Sequence, residues 1–348
     1  MPNEKITGFI IAATHQIGLG HARRCLTIAS ELKKRGEKVI FFGDIESGAA
    51  DLIGKSGAEL VSVPLKPVEE LVRCIREQGV SKVMIDTYEL NSTDIKVIGE
   101  AFTTGVVDDL ADRELAVDFV TNGLGYAESL TYRVRPDTQK LLGTQYTILR
   151  EEFHNAPDRT AREEIRDVLI SMGGSDPLAL SGLTSLVVAG VFPEAKITVV
   201  LGPLAKELKG DFPNSICVIR DTETMAELMR KSDIAIVGGG QTLYELAIVG
   251  TPAISVLIAE NQRHNWEYLR NKNVIIGLHP GDDTADARET PDKFPAALMT
   301  VSTSYTVQLM KALDGISLAT ERQRMINAGK KLVDGMGAHR VAEAWNQL

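Results

Sequence analysis

Short apolar runs alternate with longer amphipathic stretches along almost the whole chain, and that alternation leaves few folds open. Ile6–Ala12 reads as a strand. A helix from about His21 to Arg35 follows, its apolar positions Ala22, Cys25, Leu26, Ala29 and Leu32 recurring at three and four residues. Gly36 supplies a C-cap, and Lys38–Phe42 is the next strand. The pattern continues through strand Glu59–Val63, helix Val68–Glu77, strand Lys82–Asp86, helix Thr93–Glu100 and strand Thr104–Asp108. Strands that alternate with helices and are apolar on both faces predict a parallel sheet covered on both sides.

Between Leu124 and Arg162 the pattern loosens into a polar stretch holding Pro136 and Pro157, and then it restarts. Strand Asp167–Ser171, helix Ala179–Ala189, strands Lys196–Leu201 and Ile216–Ile219, helix Thr224–Lys231 and strand Ile234–Val237 come next. After them read helix Thr242–Val249, strand Ala253–Val256, helix His264–Asn271 and strand Val274–Leu278. A weak stretch, Asp282–Thr300, precedes helices near Tyr305–Leu313, Ala319–Leu332 and from about Ala338 onward. The boundary is expected near Asp158–Arg166. Two α/β halves, each opening with a strand and a glycine turn, predict a two-domain doubly wound enzyme with a cleft between its halves.

With 348 residues, each half can bury its own core without a disulfide or metal staple. The formal charge of −9, from 38 basic and 47 acidic residues, argues against a nucleic-acid-binding face as the main function. Anions remain open as ligands, because backbone N–H groups hold them as well as Lys and Arg do. Cys25, Cys74 and Cys217 are widely separated, with neither zinc-ligand spacing nor a disulfide pattern, so no metal or cofactor is expected and a reducing cytoplasm is. The apolar segment Gly8–Ala13 is too short for a signal peptide, and no stretch reaches the ~20 residues of a membrane span.

Three glycine turns follow predicted strands. The first, Ile17-Gly18-Leu19-Gly20-His21, leads through Arg23 into a helix, whose N-terminus offers N–H groups and a positive dipole end to an anion. The third glycine of a dinucleotide fingerprint is missing, which counts against NAD. His21 stands where the dipole disfavours its cation, so it reads either as a neutral proton acceptor or as a cap of its own helix.

The second and third turns are Ser171-Met172-Gly173-Gly174-Ser175-Asp176-Pro177 and Gly238-Gly239-Gly240-Gln241-Thr242. Both read as phosphate-binding turns or as bare strand-to-helix connections; consecutive glycines cost chain entropy, which favours the former. Glu245, one helical turn beyond Gly240, suits ribose hydroxyls or a solvated helix face. Asn261-Gln262, after a strand at the carboxyl edge, reads as a helix cap or a ligand contact. Asp86, Tyr88, Asp108 and Asp109 sit at strand ends, where acids hold Mg²⁺ or cap loops; the loop reading is preferred.

Taken in order, these pieces resemble a known family. Gly18-Leu19-Gly20-His21-Ala22-Arg23-Arg24-Cys25-Leu26, Ile85-Asp86-Thr87-Tyr88 and Asp108-Asp109-Leu110-Ala111-Asp112-Arg113 come first. Leu141-Leu142-Gly143 with Tyr146, Leu149-Arg150-Glu151-Glu152-Phe153, the second and third glycine turns, Tyr244-Glu245-Leu246-Ala247 and Asn261-Gln262 follow, with Asp334-Gly335-Met336-Gly337 before Arg340. The series is similar to the PseG/SpsG family, the UDP-sugar hydrolases of pseudaminic acid synthesis and their spore-coat polysaccharide relatives.

The resemblance implies a GT-B fold, two Rossmann-like domains facing across a cleft. Residues 1–160 would form the sugar-side domain, 161–330 the UDP-binding domain, and 331–348 a helix crossing back to the first. It implies cleavage of a UDP-linked diacetamido-trideoxy hexose by water, without a metal. His21, Tyr88 and Asn261 would be catalytic. Gly20, Gly173, Gly174, Ser175, Gly239, Gly240, Thr242 and Glu245 would bind the nucleotide, with Gly18, Arg23 and Gln262 as further substrate contacts. One segment departs: where the family usually carries an Arg-Ala-Asp-Ala-Ser-like run, this chain has Ala12-Ala13-Thr14-His15-Gln16. The competing expectations are a glycosyltransferase using a UDP-sugar donor, and a nucleotide-sugar-binding protein without turnover.

Overall fold

The computed structural model describes residues 5–13, 20–154, 156–220, 222, 224–280 and 294–348; Gly18 and the Thr14-His15-Gln16 segment lie outside the described residues. The chain forms two compact units, Met1–His154 with Gly335–Leu348, and Asn155–Asp334.

The first unit opens with β1 (Ile6–Ala13), α1 (Gly20–Lys34), β2 (Lys38–Ile45), α2 (Ser47–Lys55) and β3 (Glu59–Ser62). It continues with α3 (Val68–Glu77), β4 (Lys82–Asp86), α4 (Ser92–Ala101) and β5 (Thr103–Val107), then the short strands β6 (Glu114–Leu115), β7 (Phe119–Asn122), β8 (Arg133–Val134) and β9 (Gln139–Leu142). Seven strands make one sheet in the order β3-β2-β1-β4-β5-β7-β9, and every pairing in it is parallel.

The period of two along each strand sorts the core into two layers. Phe9, Ile11, Val39, Phe41 and Met84 face the layer holding Ala22, Cys25 and Ile28 of α1. Ile10, Ile40, Phe42, Val83 and Ile85 face Leu71 and Ile75 of α3 and Ile95 and Ile98 of α4. Gly36 takes the left-handed conformation (φ 80°) that ends α1, as expected of its C-cap position. An Asn91–Asp94 capping box starts α4. The stretch expected to be irregular after Leu124 contributes β8 and β9, and β7 and β9 extend the sheet beyond β5. These strands are two to four residues long and partly polar (Gln139-Lys140), too brief for a periodicity to register. α2 was likewise not foreseen, because only Ala49 and Ile53 of its residues are buried.

The second unit comprises β10 (Asp167–Ser171), α5 (Leu180–Val191), β11 (Lys196–Leu201), β12 (Ile216–Arg220), α6 (Met225–Lys231) and β13 (Ile234–Gly238). Then come α7 (Thr242–Val249), β14 (Ala253–Val256), α8 (Arg263–Asn271), β15 (Ile275–Leu278), α9 (Phe294–Ser317) and α10 (Ala319–Leu332). Its six strands are parallel in the order β12-β11-β10-β13-β14-β15. Val168, Ile170, Ile197, Ile236 and Ile254 pack on one face with Val188 of α5 and Leu309 and Leu313 of α9. α9 begins within the stretch expected to be weak.

The last helix, α11 (Gly337–Gln347), belongs to the first unit. Its Val341, Ala342 and Trp345 join the α1-side core, and the Trp345 ring meets Phe119 edge-on at 5.9 Å. Among the described residues, no helix is long and apolar enough to cross a membrane.

Candidate active site

In each of the two large sheets the strand order reverses once, between β1 and β4 in the first unit and between β10 and β13 in the second. Connections leave such a point on opposite faces of the sheet and open a crevice at the carboxyl ends of the two strands, where doubly wound folds bind ligands. The first and second glycine turns and His21 follow β1 and β10, and the third glycine turn follows β13.

In the first unit, Ile11 of β1 pairs with Asp86, the last residue of β4. Asp86 lies two residues beyond Met84 and so shares its face, the one α1 covers. There it meets three α1 side chains. His21 Nδ1 lies 2.5 Å from Asp86 Oδ1. Arg24 donates from Nε to Oδ2 at 2.8 Å and from Nη2 to Oδ1 at 2.7 Å, and the Cys25 thiol donates to Oδ2 at 3.4 Å. Arg24 Nη1 reaches both oxygens of Asp109 at 2.9 Å, and the Tyr88 hydroxyl donates to Asp109 Oδ2 at 2.9 Å. The Tyr88 ring stands edge-on to the His21 ring, centroids 5.0 Å apart.

Asp86 is 1% exposed, so its charge persists only because it is paired. Burial alone would raise its pKa; the Arg24 charge and the His21 hydrogen bond outweigh burial and hold the carboxyl well below its ordinary range. Burial likewise works against the Arg24 cation, but Asp109 and Asp86 more than offset it and push its pKa up. Burial, then the Asp109 carboxylate, drives the Tyr88 phenol far above its usual value and Tyr126 to about 12, so both are neutral donors at physiological pH. Burial raises the Cys25 thiol too, with Asp86 adding to it, which makes it an inert packing group.

An ionised carboxylate only accepts hydrogen bonds, so Nδ1 of His21 carries the proton facing Asp86. In the neutral imidazole Nε2 then holds the lone pair, and no described residue hydrogen-bonds to it. This modifies the expectation for His21: its orientation comes from a carboxylate, not from the helix end alone. Asp86, which the sequence reads as a loop cap or metal ligand, is the orienting partner. Arg24, the neighbour of the expected Arg23, is the arginine that bridges the two carboxylates. Gly20 starts α1, and a Cβ there would meet open space. Asp108 is fully buried; burial raises its pKa, and it accepts from the Ala111 N–H at 2.7 Å.

In the second unit, Gly173 (φ 78°), Gly174 and Ser175 form an exposed turn after β10. Asp176 caps α5, accepting from the Leu180 and Ser181 N–H groups at 3.0 Å each. The turn rests on Gly202, where a Cβ would lie 2.4 Å from Gly173 O and Gly174 Cα. Arg220, not anticipated from the sequence, pins that support by donating to Gly202 O at 3.1 Å and Ala205 O at 2.9 Å. At the other turn, Gln262 Oε1 accepts from the Gly239 N–H at 3.1 Å and Asn265 donates to Gly239 O at 3.3 Å. Gln262 therefore shapes the turn, and the Gly239 amide expected to face a diphosphate is already engaged. Gly240 and the first turn of α7, from Thr242, follow it; Glu245 is half-buried on α7 and Asn261 is exposed ahead of α8.

This architecture is shared with solved glycosyltransferases. The chain superposes on MurG of Acinetobacter baumannii with a TM-score of 0.62 at 13% identity, covering 99% of this chain and 100% of that one. Against the spinosyn rhamnosyltransferase SpnG complexed with thymidine diphosphate the TM-score is 0.64 at 12% identity, covering 97% and 100%. The protein has the GT-B fold.

Homologues narrow the comparison. The chain is 25% identical over 354 residues, 98% of each chain, to the spore coat polysaccharide biosynthesis protein SpsG of Bacillus subtilis. It is 27% identical over 275 residues to the UDP-2,4-diacetamido-2,4,6-trideoxy-beta-L-altropyranose hydrolase of Campylobacter jejuni, covering 76% of this chain and 96% of that one. An uncharacterized protein of Methanocaldococcus jannaschii is 27% identical over 289 residues, 76% of this chain, and the match spans 58% of that protein's length. No family model matches the sequence.

Proposed function

We propose that the protein is a nucleotide-sugar hydrolase that releases UDP and a free sugar from a UDP-linked diacetamido-trideoxy hexose. One observation carries this reading: the buried Asp86 carboxylate orients His21 so that Nε2 is its proton acceptor, with the neutral Tyr88 hydroxyl beside it. The name of the Campylobacter jejuni homologue supports the substrate class.

In the proposed reaction a water oxygen forms a bond to the anomeric carbon as the bond from that carbon to the β-phosphate oxygen breaks. Nε2 of His21 takes the water's proton, and the electron pair of the broken bond leaves with UDP. The Asp86 carboxylate balances the imidazolium that forms. The second unit's turns at Gly173-Gly174-Ser175 and Gly240–Thr242 are suited to the diphosphate, because the exposed backbone of the first and the helix start of the second favour the charge that UDP gains. Glu245 is assigned to the ribose, and Asn261 and Arg23 to the sugar.

A second reading, transfer to a sugar hydroxyl instead of water, is favoured by the Ala12–Gln16 segment. Its Ala12 and Ala13 are buried strand residues where the hydrolase family's run begins with a charged one. Incubation with the UDP-sugar and no acceptor separates the readings. A hydrolase releases UDP at a catalytic rate and His21→Ala abolishes that release while UDP still binds; a transferase releases UDP only when an acceptor is added.

A further inference from the structure

Arg24 makes four hydrogen bonds to carboxylate oxygens, divided evenly between two acids far apart in sequence, and its Nη2 also lies 3.5 Å from His21 Nδ1. One edge of the guanidinium, Nε and Nη2, grips Asp86; the remaining nitrogen, Nη1, grips Asp109. Each acid holds one of the two side chains expected to be catalytic, since Asp86 carries His21 on Oδ1 and Asp109 carries Tyr88 on Oδ2. The linkage therefore runs His21–Asp86–Arg24–Asp109–Tyr88, and the rings at its two ends close it by touching edge-on.

We propose that Arg24 is a positioning residue, a planar fork that sets the proton-accepting histidine and the tyrosine hydroxyl as one rigid unit. The inference rests on the functional reading of His21 and Tyr88 above. Three features support it. The fork is largely covered, with 12% of the side chain exposed, so water competes little for the carboxylates. Bidentate pairing fixes angle as well as distance, which a point charge cannot do. The two carboxylates also outnumber the one guanidinium, so the cluster is short of one positive charge until His21 takes up a proton.

Arg24→Lys tests the fork directly, because it keeps the charge and loses the planar geometry. The probe is the His21 Nδ1 proton in the nuclear magnetic resonance spectrum, far downfield in a short hydrogen bond to a carboxylate and assigned by its loss in His21→Gln. The expected result is loss or a marked upfield shift of that signal in Arg24→Lys. The same movement is expected in Asp109→Asn, although Asp109 has no hydrogen bond to His21. With a UDP-sugar substrate, kcat should fall about 10–100-fold in both variants, and KM should change by less than about 3-fold because neither residue is assigned to substrate binding.

A wild-type-like His21 signal in folded Arg24→Lys means charge alone suffices and overturns the proposal. If that variant does not fold, Asp109→Asn decides alone, and an unmoved signal there overturns it equally. The spectrum reads positioning without turnover, so a wild-type protein that fails to hydrolyse the substrate refutes the functional reading and leaves this test intact.

Discussion

Trp345 of α11 donates its indole N–H to the Thr7 hydroxyl of β1 at 3.1 Å, and Thr7 in turn donates to Glu37 at 2.6 Å. The ring fills space that glycine leaves: a Cβ on Gly105 would lie 2.8 Å from it. Trp345→Ala removes a fully buried aromatic and should cost about 3–5 kcal/mol of unfolding free energy, read by denaturant titration. Gly105→Ala should also destabilise, by overpacking the same spot.

Asp86 and Asp108 should respond oppositely to neutralisation. The folded pKa of Asp86 is depressed, so its stabilisation is present above the unfolded value of about 3.9 and is lost as pH falls through the folded value. Asp86→Asn should lower stability at pH 7 and flatten the acid limb of the stability curve. The folded pKa of Asp108 is raised by burial, so its ionisation opposes folding as pH rises above the unfolded value. Asp108→Asn keeps an acceptor for the Ala111 N–H and should raise stability at pH 7. Denaturant titrations from pH 3 to pH 8 check both signs.

Gly202 and Gly174 should separate folding from binding. A Cβ on Gly202 would strike backbone at 2.4 Å, so Gly202→Ala should cost about 1–3 kcal/mol and distort the turn. A Cβ on Gly174 meets nothing within 4 Å. Gly174→Ala should leave the melting temperature close to wild type yet weaken the shift produced by added UDP, because the extra methyl would stand where the proposed reading has the diphosphate approach backbone. Thermal melts with and without UDP give both readings.

Tyr88→Phe keeps the ring edge-on to His21 and deletes the hydroxyl held by Asp109. Turnover of a UDP-sugar should fall about 10-fold or more, while protein stability changes by about 1 kcal/mol or less, because the residue is half exposed and only one hydrogen bond to Asp109 is lost. Steady-state kinetics beside a denaturant curve test the pair of outcomes.

Much of the architecture was legible because its signals are local. The spacing of Ala22, Cys25, Ala29 and Leu32 defines the buried face of α1, and Gly36 ends it. The strand–glycine–helix turns announced themselves in the same way. Short elements did not: β7 and β9 are four residues each, and their membership of the sheet depends on neighbours rather than on their own pattern. The site was half legible. His21 stood out by its place at a helix start, whereas its partner Asp86, 65 positions away, read as one strand-end acid among several.

Periodicity and turn chemistry act over a few residues, so the amino-acid sequence by itself determined where the longer strands and helices fall, and which of the strands glycine-rich segments follow. Which acid meets which base depended on strand order and on the face each side chain takes. Placing β4 beside β1 puts Asp86 under α1, and placing β5 beside β4 brings Asp109, two residues past its end, to the other edge of Arg24. Those pairings arise only when distant apolar faces are buried together, and so the tertiary structure decided them.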